Sequence, residues 1–170
     1  MLPFRLLYIL SDFVYLIVYY VIGYRKKTVR ENLALALPHL SDAERLVIEK
    51  KSFQHLCDMF LEMIKTMTIS TKEINNRFVF TNLEVYQKLE EQNKSISMML
   101  AHYASYEWVI SMNAYVTYGA FAIYKKIANP YFDKLVRDIR SRFKANLITT
   151  KETVPYIIKN KNNKLLSIYG

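Results

Sequence analysis

Apolar and polar positions follow two different patterns along this chain. From Leu6 to Ile22 seventeen residues run apolar apart from Ser11 and Asp12. Further on, short apolar runs alternate with stretches patterned at helical spacing. The first run sits at the lower limit for a spanning helix, which needs roughly 20 apolar residues, and an acid within it is costly in hydrocarbon. It reads as a membrane-contacting helix or as a buried core helix. Thr28 to Leu37 is helical in composition and stops before Pro38, since the residue before proline avoids the helical region. Ser41 followed by Glu44 forms a capping box, in which each side chain satisfies a backbone N–H of the other residue. Leu46, Phe53, Phe60 and Met67 then recur every seventh position, with Leu56 and Met63 between them. This marks the apolar stripe of one long helix ending near Thr68.

The remainder alternates between strand and helix. The pattern predicts strands at Arg77–Phe80, Ile96–Ala101, Ala120–Tyr124, Asn146–Thr149 and Lys164–Tyr169. Helices are predicted at Leu83–Glu91, Ser105–Val116, Tyr131–Phe143 and Glu152–Lys159. Apolar strands separated by helices imply a mostly parallel sheet with helices on its faces. The fold class is therefore α/β, with a helical, membrane-associated N-terminal region over residues 1–70 and an α/β domain over 71–170.

Charge and cysteine content narrow the surroundings. Twenty-four Lys and Arg against 15 Asp and Glu give a net charge of +9, which attracts polyanions: nucleic acid, an acidic carrier protein or anionic lipid headgroups. The cations are spread over many segments and form no nucleic-acid motif, so nucleic acid is the weakest of the three. Arg25, Lys26, Lys27 and Arg30 follow the apolar run, against Arg5 alone before it; if the run meets a membrane, that asymmetry places the bulk of the chain in the cytoplasm. Cys57 is the single cysteine. It allows no internal disulfide, fits a reducing compartment and reads as packing in the long helix. Tyrosines are abundant, 14 in all, a composition suited to the membrane–water boundary and also to a core.

The candidate chemistry lies in Met98-Met-Leu-Ala-His-Tyr-Ala-Ser-Tyr-Glu-Trp108. His102 falls where an apolar strand ends and a helix is about to begin, the place where ligands gather in parallel sheets. Glu107 falls in the first turn of that helix, and the loop between can fold its carboxylate against one imidazole nitrogen while the other faces a cleft. That arrangement fixes the tautomer and stabilises an imidazolium, and an ordinary imidazole titrates near neutrality. Spacing alone favours a structural histidine at a strand end over a base. His39 lies in a Leu-Pro-His-Leu turn, and His55, Asp58 and Glu62 share a helix face that reads as solvated rather than metal-binding.

With these pieces in order, the chain resembles the late lipid A biosynthesis acyltransferases, the lauroyl/myristoyl-transferring family, a branch of the His-x4-Asp/Glu acyltransferases. The resemblance runs through Leu10-Ser-Asp12, Tyr24-Arg-Lys-Lys-Thr-Val-Arg-Glu-Asn-Leu33 and Phe53-Gln-His-Leu-Cys-Asp-Met-Phe60. It continues through the strand–His102-x4-Glu107-Trp108 block and Asn129-Pro-Tyr-Phe-Asp133 to Arg140-Ser-Arg-Phe143. It implies a glycerophosphate-acyltransferase-like fold at the bacterial inner membrane, catalytic part facing the cytoplasm. The implied reaction is acyl transfer from acyl carrier protein to a hydroxyl of a lipid A precursor, with no cofactor, metal or nucleic acid. His102 would be the general base and Glu107 its orienting acid, while Lys125, Arg140 and Arg142 would hold substrate phosphates. The same dyad serves glycerophosphate, lysophospholipid and amino-acid-lipid acyltransferases, which remain alternatives, as does an inactive membrane-anchored fragment. Two departures stand out. Ala104 replaces a glycine usual in that turn, which matters if the turn needs a positive φ. The sequence also stops at Gly170 near a strand end, where the family continues, so a truncated sheet is expected.

Overall fold

A computed structural model describes residues 2–169. The chain divides between Ile64 and Lys65 into two compact units.

The first unit is helical. Helix α1 (Phe4–Leu16) widens into a π-helical segment, Ile17–Ile22, that ends at Gly23 with φ 65°. That left-handed conformation carries no penalty in glycine. Helix α2 (Lys26–Ala36) and the long α3 (Asp42–Lys65) follow. The capping box forms as expected: the Ser41 amide donates to Glu44 Oε2 at 2.7 Å, and the Glu44 amide donates to Ser41 Oγ at 3.3 Å. Tyr15, Tyr19, Phe53 and Cys57 make a buried cluster in which Phe53 meets the Tyr19 ring edge-on at 5.2 Å. The sulfur of Cys57 thus serves packing, and burial raises its pKa.

Two carboxylates of α3 are buried in this unit. Glu49 accepts from Tyr19 Oη at 2.8 Å and from Arg30 through Nε at 2.8 Å and Nη2 at 3.1 Å. Glu62 accepts from Tyr8 Oη at 2.7 Å. Glu62 is therefore not solvated as its spacing with His55 and Asp58 led us to expect: Tyr8 of α1 covers it, while His55 stays exposed and Asp58 half-buried.

The second unit holds α4 (Thr71–Arg77), α5 (Leu83–Glu91) and four parallel strands. These are β1 (Ile96–Met99), β2 (Gly119–Tyr124), β3 (Asn146–Thr149) and β4 (Leu165–Tyr169), in the spatial order β1-β4-β2-β3. A 3₁₀ helix, Tyr106–Ala114, follows β1, while α6 (Pro130–Arg140) and α7 (Thr153–Lys159) make the other crossings. Strand β4 is central: Leu166 pairs with Ile96 on one side and Ala120 on the other and is fully buried. The expected α/β class with a parallel sheet is thus the observed one.

One predicted strand is corrected. Arg77 ends α4, which Ser70 caps by accepting the Glu73 amide at 3.1 Å, and Phe78–Phe80 runs on without joining the sheet. The segment was apolar for another reason. Phe78 and Phe80 meet edge-on at 5.2 Å, and Phe80 packs on Tyr115 and the core around Tyr86 and Met112. The crossing after β1 also winds as 3₁₀ rather than α-helix, its Trp108 fixed by an Nε1–H donated to Thr66 Oγ1 at 3.0 Å.

Glu90 ties the end of α5 to the sheet. Its Oε1 accepts from Tyr86 Oη at 2.5 Å and from the amides of Thr117 and Tyr118 at 3.0 and 3.2 Å. Burial disfavours the carboxylate, but these donors outweigh it and hold its pKa below the usual value. A depressed folded pKa contributes stability that is complete above the ordinary carboxylate pKa, about 4.3, and is lost as pH falls through the folded value. Glu90→Gln is expected to cost about 1 kcal/mol at pH 7, allowing for partial solvent screening. The difference from wild type should vanish near pH 3, as urea unfolding at the two pH values will read.

Candidate active site

The carboxyl ends of the strands converge on a cavity of about 450 Å³, the location at which parallel sheets bind ligands. Apolar walls come from Leu100 beyond β1, Val109 and Ile110 of the 3₁₀ helix, Ala122 and Ile123 of β2 and Ile168 of β4. Polar groups enter from a few positions: His102, Tyr106, Glu107, Tyr124, Lys125, Arg140 and Thr150. A largely apolar trough with a small set of polar side chains is the common form of a small-molecule site.

Four of the five residues picked from the sequence line this cavity. Glu107 is 6% exposed, and its partner is Arg140 from the last turn of α6. Nε donates to Oε2 at 2.8 Å and Nη2 to Oε1 at 2.5 Å, a bidentate fork. Such a pair is both strong and geometrically specific. Burial works against the Arg140 charge, yet the hydrogen bonds and attraction of Glu107 prevail and raise its pKa above the ordinary value. Helix α6 aims the guanidinium. Asn129 caps its first turn, accepting the Tyr131 and Phe132 amides at 3.0 and 3.1 Å, Pro130 occupies the first position, and buried Asp133 accepts the Ile127 amide at 2.9 Å.

His102 lies in the exposed loop after β1 and stacks on Tyr106, ring centroids 4.1 Å apart and planes at 16°. Among the described residues no hydrogen bond joins the imidazole to Glu107, whose carboxylate faces Arg140 instead. Tyr106 separates the two functions: its ring carries the histidine, and burial followed by the neighbouring Glu107 charge raises its phenol pKa. The turn between them passes through Ala104 at φ 49°, the positive-φ conformation that glycine would adopt without strain. Lys125 stands exposed just past β2 at the cavity wall.

Arg142 is placed elsewhere. Its Nη2 donates to the Ile69 carbonyl at 3.4 Å and its guanidinium lies 5.6 Å from the Phe143 ring. The two arginines sit two residues apart, where α6 gives way to a 3₁₀ turn, and so point in different directions. Tyr106, Tyr124 and Thr150 are lining residues that the sequence reading passed over. Tyr106 had a signal, an aromatic beside an acid at the head of the helix. Tyr124 and Thr150 had only their places at the ends of strands.

Two variants follow from this geometry. Removing one partner of a buried ion pair leaves the other charge unpaired, so Arg140→Ala is expected to destabilise the protein by about 3–5 kcal/mol in thermal or urea unfolding. Ala104→Gly removes the left-handed penalty, offset by glycine's greater chain entropy, and should stabilise by about 0.5 kcal/mol in the same measurement.

No curated protein matches the chain closely enough to count as a relative. The family model for bacterial lipid A biosynthesis acyltransferases matches residues 1–168, taking in the N-terminal helices as well as the sheet and its cavity. The chain is therefore a member of the bacterial lipid A biosynthesis acyltransferases, and acyl transfer in lipid A biosynthesis is the activity of its family.

Proposed function

We propose that the chain transfers an acyl group from the thioester of an acyl carrier protein to a hydroxyl of a lipid A precursor, at the cytoplasmic face of the inner membrane. The observation that carries this reading is the shared cavity: an exposed imidazole, a buried carboxylate–guanidinium pair and a lysine around an apolar trough. An acyl chain and a hydroxyl on an amphiphilic acceptor need that combination of apolar wall and confined polar groups.

His102 accepts the proton of the acceptor hydroxyl as its oxygen attacks the thioester carbon. The tetrahedral intermediate collapses with cleavage of the C–S bond, and the imidazolium returns the proton to the departing thiolate. No enzyme-bound acyl intermediate and no cofactor is required. Glu107, pinned by Arg140, offers a fixed negative charge beside the imidazolium, and the ring turns toward it from Tyr106 when the acceptor enters. Catalytic hydrogen bonds commonly tighten only in the substrate complex. Lys125 is the cation for a substrate phosphate, assisted by the Arg140 Nη1 donors that Glu107 leaves unused.

The test is acyl transfer from an acyl carrier protein to a lipid A precursor in detergent, with products read by mass spectrometry. His102→Ala should lower kcat about 10²–10⁴-fold, while Lys125→Ala should act mainly on KM. Transfer unaffected by His102→Ala removes the base from its role. Acylation of glycerophosphate in place of the lipid A precursor overturns the acceptor.

A further inference from the structure

Helix α1 and the π-helical segment after it form one apolar stretch, Phe4–Ile22, of 19 residues, about 28 Å at 1.5 Å per residue. That length comes close to the roughly 30 Å of hydrocarbon in a bilayer. Only 22% of the stretch is buried, so it is not the core helix of a soluble domain. What the first unit does with this helix follows from its neighbour.

Two hydrogen bonds, Tyr8 to Glu62 and Tyr19 to Glu49, clamp the helix antiparallel along α3. Between those two points α3 exposes Lys51, Gln54 and His55. A bilayer-crossing α1 would carry these side chains into hydrocarbon with it. Its own Asp12 would add to the cost. The residue is exposed and lies near the middle of the stretch, so in a crossing helix its charge would sit at the bilayer centre, the most expensive depth.

Around the axis of α1, at about 100° per residue, the side chains sort into three sectors. Phe4, Leu7, Ser11 and Tyr15 are buried on one side. Leu6, Ile9, Leu10, Phe13 and Leu16 form an exposed apolar sector opposite, Phe13 being 60% exposed. Arg5 and Asp12 lie together on the flank between them, both exposed. A polar flank bordering an apolar sector is the pattern of a helix lying in the membrane plane, its charges at the water boundary.

The cations fit the same placement. Arg25, Lys26, Lys27 and Arg30 begin directly after the apolar stretch, and Arg25 stands free of ion pairs among the described residues. It borders a cavity of about 470 Å³ that Thr28, Asn32 and Ser52 also line. Ser52 donates its hydroxyl to the Ile48 carbonyl, but the Thr28 hydroxyl and the Asn32 amide beside an unpaired guanidinium suit a phosphate group.

We infer that the N-terminal unit is monotopic: α1 lies in the plane of an anionic phospholipid surface, with its apolar sector in the acyl region and the Arg25 cavity at headgroup phosphates. This deepens the proposed reaction at a membrane and rests on that reading for its partner. It brings the unit to one leaflet without crossing to the other.

Nitroxide labels placed one at a time at positions 5, 6, 9, 12, 13 and 16 of the full chain, with Cys57→Ser, read depth in phosphatidylglycerol vesicles. All lie on the exposed surface, so the fold tolerates them. Positions 6, 9 and 13 should show oxygen-rich, lipid-like accessibility, and 5 and 12 water-like accessibility, repeating with each helical turn. Depth rising smoothly to a maximum at 12 and 13 is a crossing helix and overturns the inference, leaving the proposed acyl transfer intact. As a second measurement, Leu2→Cys and Tyr24→Cys should both react with an impermeant thiol reagent outside sealed vesicles; protection of one end overturns the inference. Arg25→Gln combined with Lys27→Gln should weaken vesicle binding about 25-fold, and unchanged binding overturns the headgroup assignment. Absence of vesicle binding altogether overturns both the inference and the membrane setting of the reaction, whereas loss of the reaction alone appears only in the transfer assay with His102→Ala.

Discussion

The bidentate pair between Glu107 and Arg140 fixes the arrangement on which the candidate site depends. It joins the crossing after β1 to the end of the helix after β2, two segments that reach the carboxyl edge of the sheet from separate parts of the chain. Each charge would be expensive at that depth alone, and each makes the other tolerable. With the carboxylate committed to the guanidinium, the loop holding His102 is fixed by other means: a ring stacked on Tyr106 and a left-handed turn at Ala104. The imidazole stays at the cavity mouth while the ion pair sits in the wall.

The first unit applies the same device at larger scale. Buried Glu49 and Glu62 each receive a tyrosine hydroxyl from the first helix, and Glu49 also takes a bidentate arginine. An apolar surface would hold two helices in any of several registers. Carboxylates with fixed partners select one, because every other register leaves a charge buried without a donor. The helix so held keeps a wide apolar face outward, a face that monomeric soluble proteins seldom present and that membrane-binding ones do.

Much of this was legible in the residues. The parallel sheet followed from apolar runs separated by helical patterns, and Leu83–Glu91 and Asn146–Thr149 coincide with α5 and β3 end for end. The capping box at Ser41 and Glu44 formed because its requirements are local, two side chains and two amides within one turn. The position of His102 at a strand's carboxyl end was readable for the same reason, and the order of motifs from Tyr24 to Phe143 was enough to identify the family.

Which groups touch was decided in three dimensions. Spacing put Glu107 within reach of His102, but a carboxylate takes the strongest donor its fold supplies, and α6 delivers a guanidinium with two aligned N–H groups. Arg140 and Arg142 look equivalent in sequence; one turn of 3₁₀ helix sends the first into the cavity and the second to the Ile69 carbonyl. Phe78 and Phe80 carry the composition of a strand, yet they pack on the core around Tyr115 because no neighbouring strand is there to pair with them. The sequence by itself determined the elements, the family and the candidate residues, since these rest on local spacing and on motif order. Partner choice among charges, strand membership and the exposed face of the first helix belonged to the tertiary structure, because each depends on what a distant segment brings alongside.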